Sequence, residues 1–201
     1  MGTNSSTGTA TLGDYRTRVA DGGPRHLVRA DLALRSASEP PTDVEADGSP
    51  TSTARGDDTI GTADEQSLRI GVMRQSVTDI DRTSVQLAAV LGCSVSVENG
   101  TGQRAFLTGF LDANNDGDFA DPGESAQWIV PSAPGIQTHQ LEFQASWTLD
   151  RSVSSWTVRL PVRVRLSTVD ELEPDGVAPD GTTPDGEVED HFVTPAFGAG
   201  S

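Results

Sequence analysis

Lysine is missing from this 201-residue chain; its 14 basic side chains are all Arg, set against 30 acids for a formal charge of −16. So acidic a chain repels nucleic acid and anionic membrane, which excludes both as main partners. Cysteine is nearly absent too, and the single Cys93 rules out an internal disulfide. No apolar run approaches the ~20 residues of a membrane-spanning helix. The opening Met1-Gly2-Thr3-Asn4-Ser5-Ser6 lacks the apolar core of a secretion signal, so export would need a larger parent protein or another signal. Only three histidines occur, at 26, 139 and 191, without the spacing of a zinc site. No G-x-S-x-G, H-E-x-x-H or phosphate-cradling glycine loop is found. The acidic clusters lie in turns without aromatic flanks, which argues against a glycosidase pair. An enzyme is therefore not expected.

What the chain does have is segregated charge. Residues 39–65, 112–124 and 170–190 hold 22 of the 30 acids and one of the 14 Arg. The remainder carries 13 Arg against eight acids. A uniformly solvated acidic surface would not separate in this way. Clustered carboxylates in turn-rich segments point to cation sites or to acidic linkers.

The most informative run is Asp112-Ala113-Asn114-Asn115-Asp116-Gly117-Asp118-Phe119-Ala120-Asp121-Pro122-Gly123-Glu124. Its opening follows the D-x-D/N-x-D/N-G spacing of an oxygen-ligand calcium loop. Alternate residues of a tight loop can turn inward together, and Gly117 permits the sharp backbone turn this requires. Five carboxylates and no Lys or Arg leave the run self-repelling without a cation. The twelfth position is Gly123 rather than Glu, and no amphipathic helix flanks the run. The expectation is a calcium loop between strands, with Asp112, Asn114, Asp116, Asp118, Asp121 and Glu124 as ligands, rather than an EF-hand.

Residues 1–13 read as a flexible lead-in and 14–66 as an irregular, acidic, loop-rich segment with one apolar stretch at Leu27–Leu34. From Ser67 onward short alternating runs dominate. Ser84–Val90, Cys93–Val97, Ala105–Leu111 and Ala126–Val130 each fit a strand with one face on a core. In Leu160-Pro161-Val162-Arg163-Val164-Arg165-Leu166 the apolar and Arg positions alternate strictly. Eight or nine such strands without a helix predict an all-β, antiparallel β-sandwich of Ig-like or jelly-roll-like type over 67–196, with 197–201 a tail. Pro161, which cannot donate to a ladder, is expected on an edge or at a bulge. Cys93 is expected in the core.

Several runs carry a family resemblance. Asp185-Gly186-Glu187-Val188-Glu189-Asp190 reproduces the D-G-E-V-E-D ending of the GEVED domain, a module of bacterial secreted and cell-surface proteins. Gly109-Phe110-Leu111-Asp112 through Phe119 resembles that family's G-W-I-D-x-N-x-D-G-D-F segment, and Leu160–Ser167 its Arg-containing strand. Residues 23–26, 43–48 and 54–61 resemble the acidic segment that often precedes such domains. The chain departs from the family in having Phe110 where that segment has Trp, and His191 where an aromatic usually follows the final Asp. Ala63-Asp64-Glu65-Gln66-Ser67-Leu68 also stands where the family often has D-D-E-D-G-V. The resemblance implies an extracellular, adhesin-like sandwich combined with other modules, and no catalysis.

Further metal-site candidates follow. In Glu187, Glu189 and Asp190, alternation puts the two Glu on one face and Asp190 on the other. These acids either reach the calcium loop or pair with Arg163 and Arg165 across the strands. Asp57, Asp58, Asp64 and Glu65 form a candidate second metal site, with an acidic linker as the other reading. The expected function is a calcium-binding, calcium-stabilised structural or adhesive module. Its partners would be calcium ions, neighbouring domains of a larger surface protein, and a surface glycan or protein receptor. The alternative is a carbohydrate- or protein-binding module with calcium near the site.

Overall fold

The computed structural model describes residues 25–36, 68–119, 121–152, 155–170 and 182–198. Twelve strands lie among the described residues: β1 (Arg25–His26), β2 (Leu32–Leu34), β3 (Leu68–Asp79), β4 (Ser84–Asn99), β5 (Ala105–Leu111) and β6 (Ser125–Val130), then β7 (Ala133–Asp150), β8 (Ser155–Thr157), β9 (Leu160–Ser167), β10 (Thr182–Thr183), β11 (Glu187–Val193) and β12 (Ala196–Gly198). The described residues contain no helix, and so none long and apolar enough to cross a membrane.

Two main sheets face each other. In the first, β7 pairs with β4 along its whole length, while β3 and β2 share the opposite side of β4 end to end. The second is antiparallel in the order β11-β9-β5-β6. Short pairs, β8 with β12 and β1 with β10, complete the assembly, the latter parallel.

Period-two alternation places the core. Along β4, Val85, Leu87, Ala89, Leu91, Cys93, Val95 and Val97 are buried and the intervening residues are mostly more exposed. Leu141, Phe143 and Ala145 of β7 lie opposite Cys93, Leu91 and Ala89. From the facing sheet, Leu160, Val162, Val164 and Leu166 of β9 join Leu107 and Leu111 of β5 in the same cluster. The sheets approach closely at Gly109, where a Cβ would stand 2.7 Å from Leu141 and 2.8 Å from Phe143. A side chain there would force the layers apart.

Four details differ from the sequence reading. Ser84–Val90 and Cys93–Val97 belong to one 16-residue strand. Gly92, between those two runs, makes room on the outer face for Met73 and Gln140. Pro161 sits at the start of β9, a central strand rather than an edge. Its carbonyl accepts from Asp112 N at 3.2 Å, one residue past the last β5 pair, so the N–H that proline lacks falls at the end of the ladder rather than inside it. Phe197, assigned to the tail, is fully buried and tilts against Trp147 with ring centroids 5.1 Å apart. In the N-terminal segment Leu32–Leu34 is buried in the core, while Leu27 and Val28 are exposed.

Candidate metal centre

The loop of residues 112–124 leaves the end of β5 and returns at the start of β6. Its neck is closed by Leu111 N donating to Glu124 O at 2.8 Å. Asp112 is completely buried, and its carboxylate accepts backbone N–H groups from Asn115 (2.5 Å), Asp116 (3.2 Å) and Gly117 (3.0 Å). That wrap needs left-handed backbone at Asn115 (φ 64°) and Gly117 (φ 103°), which Asn and Gly adopt most cheaply. Buried Glu124 accepts from Ala113 N (2.8 Å) and Asp121 N (3.1 Å) on its two oxygens. Two carboxylates thus organise the loop from inside.

That arrangement is electrostatically tense. Burial pushes Asp112 up to about 6, against the pull of backbone N–H groups from Gly117 and Asn115. Burial likewise pushes Glu124 up to about 7, against bonds from Ala113 and Asp121 and with the Asp112 charge adding to the rise. A nearby cation would relieve both.

At the exposed rim, Asn114 Oδ1 accepts from Asp116 N at 3.0 Å, and Asp116 Oδ1 from Asp118 N at 3.3 Å. The amide nitrogen of Asn114 donates to Asp116 Oδ2 at 3.0 Å and also to Asp121 Oδ2. Asn114, Asp116 and Asp121 therefore converge, with a partly positive N–H₂ group between two carboxylates. Rotating that amide would present a third oxygen, and an all-oxygen set without Lys or Arg suits a hard divalent cation. Among the described residues no group of three or more His, Cys, Asp or Glu is arranged to hold a metal ion; the convergent trio includes an amide. Asp118 is exposed beside it.

The loop is anchored to both sheets. Trp147 Nε1 on β7 donates to Ala113 O at 2.7 Å. Phe119 tilts against Phe110 at 6.0 Å, with the Arg163 guanidinium 5.9 Å from its ring. Arg163, 1% exposed, forms a two-pronged ion pair with Asp190 at 2.7 and 2.8 Å. Asp190 thus acts on the loop at one remove, through Arg163 and Phe119.

Glu187 and Glu189 have their contacts elsewhere. They lie opposite Leu166 and Val164, so both point into the sandwich. Glu187 accepts from Leu34 N at 2.5 Å, tying β2 to β11, and Glu189 bonds His191 at 2.9 Å. The structure thus does not bring them to the loop of residues 112–124. Asp57, Asp58, Asp64 and Glu65 lie outside the described residues. Trp128 is half exposed beside His139, and Trp147 is half-buried.

Sequence reasoning missed the work of Asp185, which it placed only in the acid-rich run 170–190 and in the family motif. It is almost fully buried and accepts from Ser167 Oγ (2.9 Å), Thr168 N (2.9 Å), Thr168 Oγ1 (2.7 Å) and Arg29 (3.3 Å). Burial raises its carboxyl, but the Thr168 and Ser167 bonds and the Arg29 charge outweigh that and hold it below the usual range. Gly186 follows at φ 98°, pressed so close to Leu166 that any side chain would strike its carbonyl. The signal was available as Asp before Gly ahead of a strand, the composition of a tight buried turn.

The D-G-E-V-E-D run is thus a clasp: Asp185 and Gly186 fold the turn, Glu187 holds β2, Glu189 holds His191, and Asp190 holds Arg163. No curated protein matches the chain. The family model described as the GEVED domain matches residues 106–194, from β5 through the candidate metal loop to the end of the clasp strand β11. Over that stretch, and not over the segment before it, the chain is similar to the GEVED domain family.

Proposed function

We propose that this chain is a calcium-binding, calcium-stabilised structural and adhesive module of a bacterial secreted or cell-surface protein, without catalysis of its own. The observation that carries the reading is the convergence of Asn114, Asp116 and Asp121 at the loop rim, above two buried carboxylates raised by burial. Asp112, Asn114, Asp116, Asp118, Asp121 and Glu124 would supply the oxygens. When bound, the ion would supply positive charge only; the chain supplies the cage and its anchors. The single cysteine fits this role, because a chain without disulfides needs another staple and calcium is abundant outside cells.

Extracellular calcium modules have dissociation constants of roughly 10⁻⁴–10⁻³ M. At tenfold excess over that constant one site stabilises the fold by about 1.4 kcal/mol. For a chain of this size that is a rise of about 3–6 °C in melting temperature. Thermal unfolding in EDTA and in millimolar calcium measures it, and Asp116→Ala should abolish the rise while leaving the chelated protein folded. A shift below about 2 °C in the native chain would count decisively against the reading.

A further inference from the structure

The outer face of the first sheet, turned away from the core, carries rows of side chains fixed by the strand register. Across β3, β4 and β7 run Arg74, Val90 and Gln144, then Gly71, Gly92 and Glu142, then Arg69, Ser94 and Gln140. Of these only Gly92 is buried, beneath Met73 and Gln140. The β-bulge between Val72 and Arg74 shapes the face. Without the extra residue Arg74 would share the inward parity of Leu68, Ile70 and Val72; the bulge re-aims it outward, onto the face that carries Arg69. Met73, 49% exposed, lies over Gly92 between the two Arg rows.

The charges on these rows form a pattern. Arg69, Arg74 and Glu142 are exposed, and none of their side chains makes an ion pair or hydrogen bond among the described residues. Both Arg stand on β3, while Glu142 stands on β7 in the row between them. The two columns are two strand spacings apart, about 10 Å. Turning a second copy over about the line of β4 brings its β7 above β3. Its Glu142 then falls between Arg69 and Arg74, and the reciprocal contact forms across the axis. Ala88, Val90, Gly92 and Ser94 lie along that axis, and such short side chains let two sheets approach to the ~10 Å of packed layers.

The charge of the whole chain favours this face. At −16 two copies repel, and here, with two Arg to one Glu, they meet without facing like charges. The stretch of β4 from Val85 to Val95 is flanked by β3 and β7 throughout. Three strands over that length span about 35 Å by about 14 Å, roughly 500 Å² in projection before side-chain relief is counted. That approaches the ~800 Å² per partner of a standard interface. We infer that this face joins two copies of the chain in an isologous, sheet-on-sheet dimer, with Glu142 of each seated between Arg69 and Arg74 of the other.

Sedimentation equilibrium of the full chain between about 1 and about 100 µM, the weak end of interfaces this size, tests it. The native chain should dimerise in that range. Glu142→Arg, and separately Arg69→Glu with Arg74→Glu, should each weaken the dimer at least about tenfold, because like charges then face each other. All three positions are exposed, so the melting temperature of each variant as a monomer should stay within about 2 °C of the native monomer. An equimolar mixture of the two variants should dimerise again, since the reversed charges are then complementary on both sides of the axis. A native chain that stays monomeric to about 100 µM overturns the inference and leaves the face to a different partner. A dimer that survives Glu142→Arg overturns it too, as does a mixture of the folded variants that stays monomeric.

Discussion

Asp190→Ala is expected to destabilise the chain by about 3–5 kcal/mol, the usual penalty for leaving one member of a buried ion pair behind. Arg163 is 1% exposed and held by two parallel bonds to Asp190, so the variant strands a guanidinium away from water with its principal anion gone. The corresponding fall in melting temperature is about 6–20 °C. Replacing both partners by apolar side chains, as in Arg163→Met with Asp190→Leu, should recover most of the loss, because the charge and its counter-charge leave together. The contact of Arg163 with Phe119 adds a second readout. The single variant should also shrink the melting-temperature rise produced by calcium, since the loop loses one of its supports. A loss below about 1 kcal/mol in the single variant would show the pair to be hydrated and the link to the loop idle.

His26 should make the fold acid-sensitive well above the carboxylate range. Its Nε2 accepts from Arg165 Nε (3.2 Å) and Nη2 (3.1 Å), and its Nδ1 meets the carbonyl of Asp185 at 2.9 Å. That geometry requires the neutral ring with the proton on Nδ1. Burial, and then the Arg165 charge, push the imidazole down to about 3. The sign follows directly: the unfolded chain takes a proton below about 6.5 and the folded chain does not, so stability is full above that value and falls toward pH 3. The slope is about 1.4 kcal/mol per pH unit while one proton separates the two states. Asp112 and Glu124 act oppositely without calcium, since carboxyls raised to about 6 and about 7 favour the folded state as pH falls. Comparing native chain with His26→Gln in the same buffer isolates the imidazole. The native advantage should shrink steadily between about pH 6.5 and about pH 4. Parallel curves would mean that His26 protonates freely in the folded state.

Both predictions concern residues whose roles depend on neighbours distant in the chain. Arg163 and Asp190 are 27 residues apart, and His26 meets Arg165 across 139. The sequence offered Arg163 and Arg165 as the polar face of a strand, with the acids of 187–190 as possible partners across it. In the structure both are buried, because Phe119 of the loop covers one and His26 of the N-terminal segment covers the other. A pattern of alternation cannot register a cover supplied by a separate segment.

The turn at residues 112–124 was legible for a local reason. Asp112, Asn114 and Asp116 bond to backbone groups two to five residues away, so their spacing alone encodes the turn. Strand existence was legible for the same reason, since alternation between two faces is a property of contiguous residues. The GEVED resemblance marked the clasp at 185–190 without saying what each residue does there. Alternation separates Glu187 and Glu189 from Asp190, but it is silent on which face meets the core. That choice was made by the fold, which met Glu187 with the N–H of Leu34 and Glu189 with His191 and so made an inward-facing acid tolerable. Burying a carboxylate is a question of which partners the packed layers deliver, and only the tertiary structure delivers them.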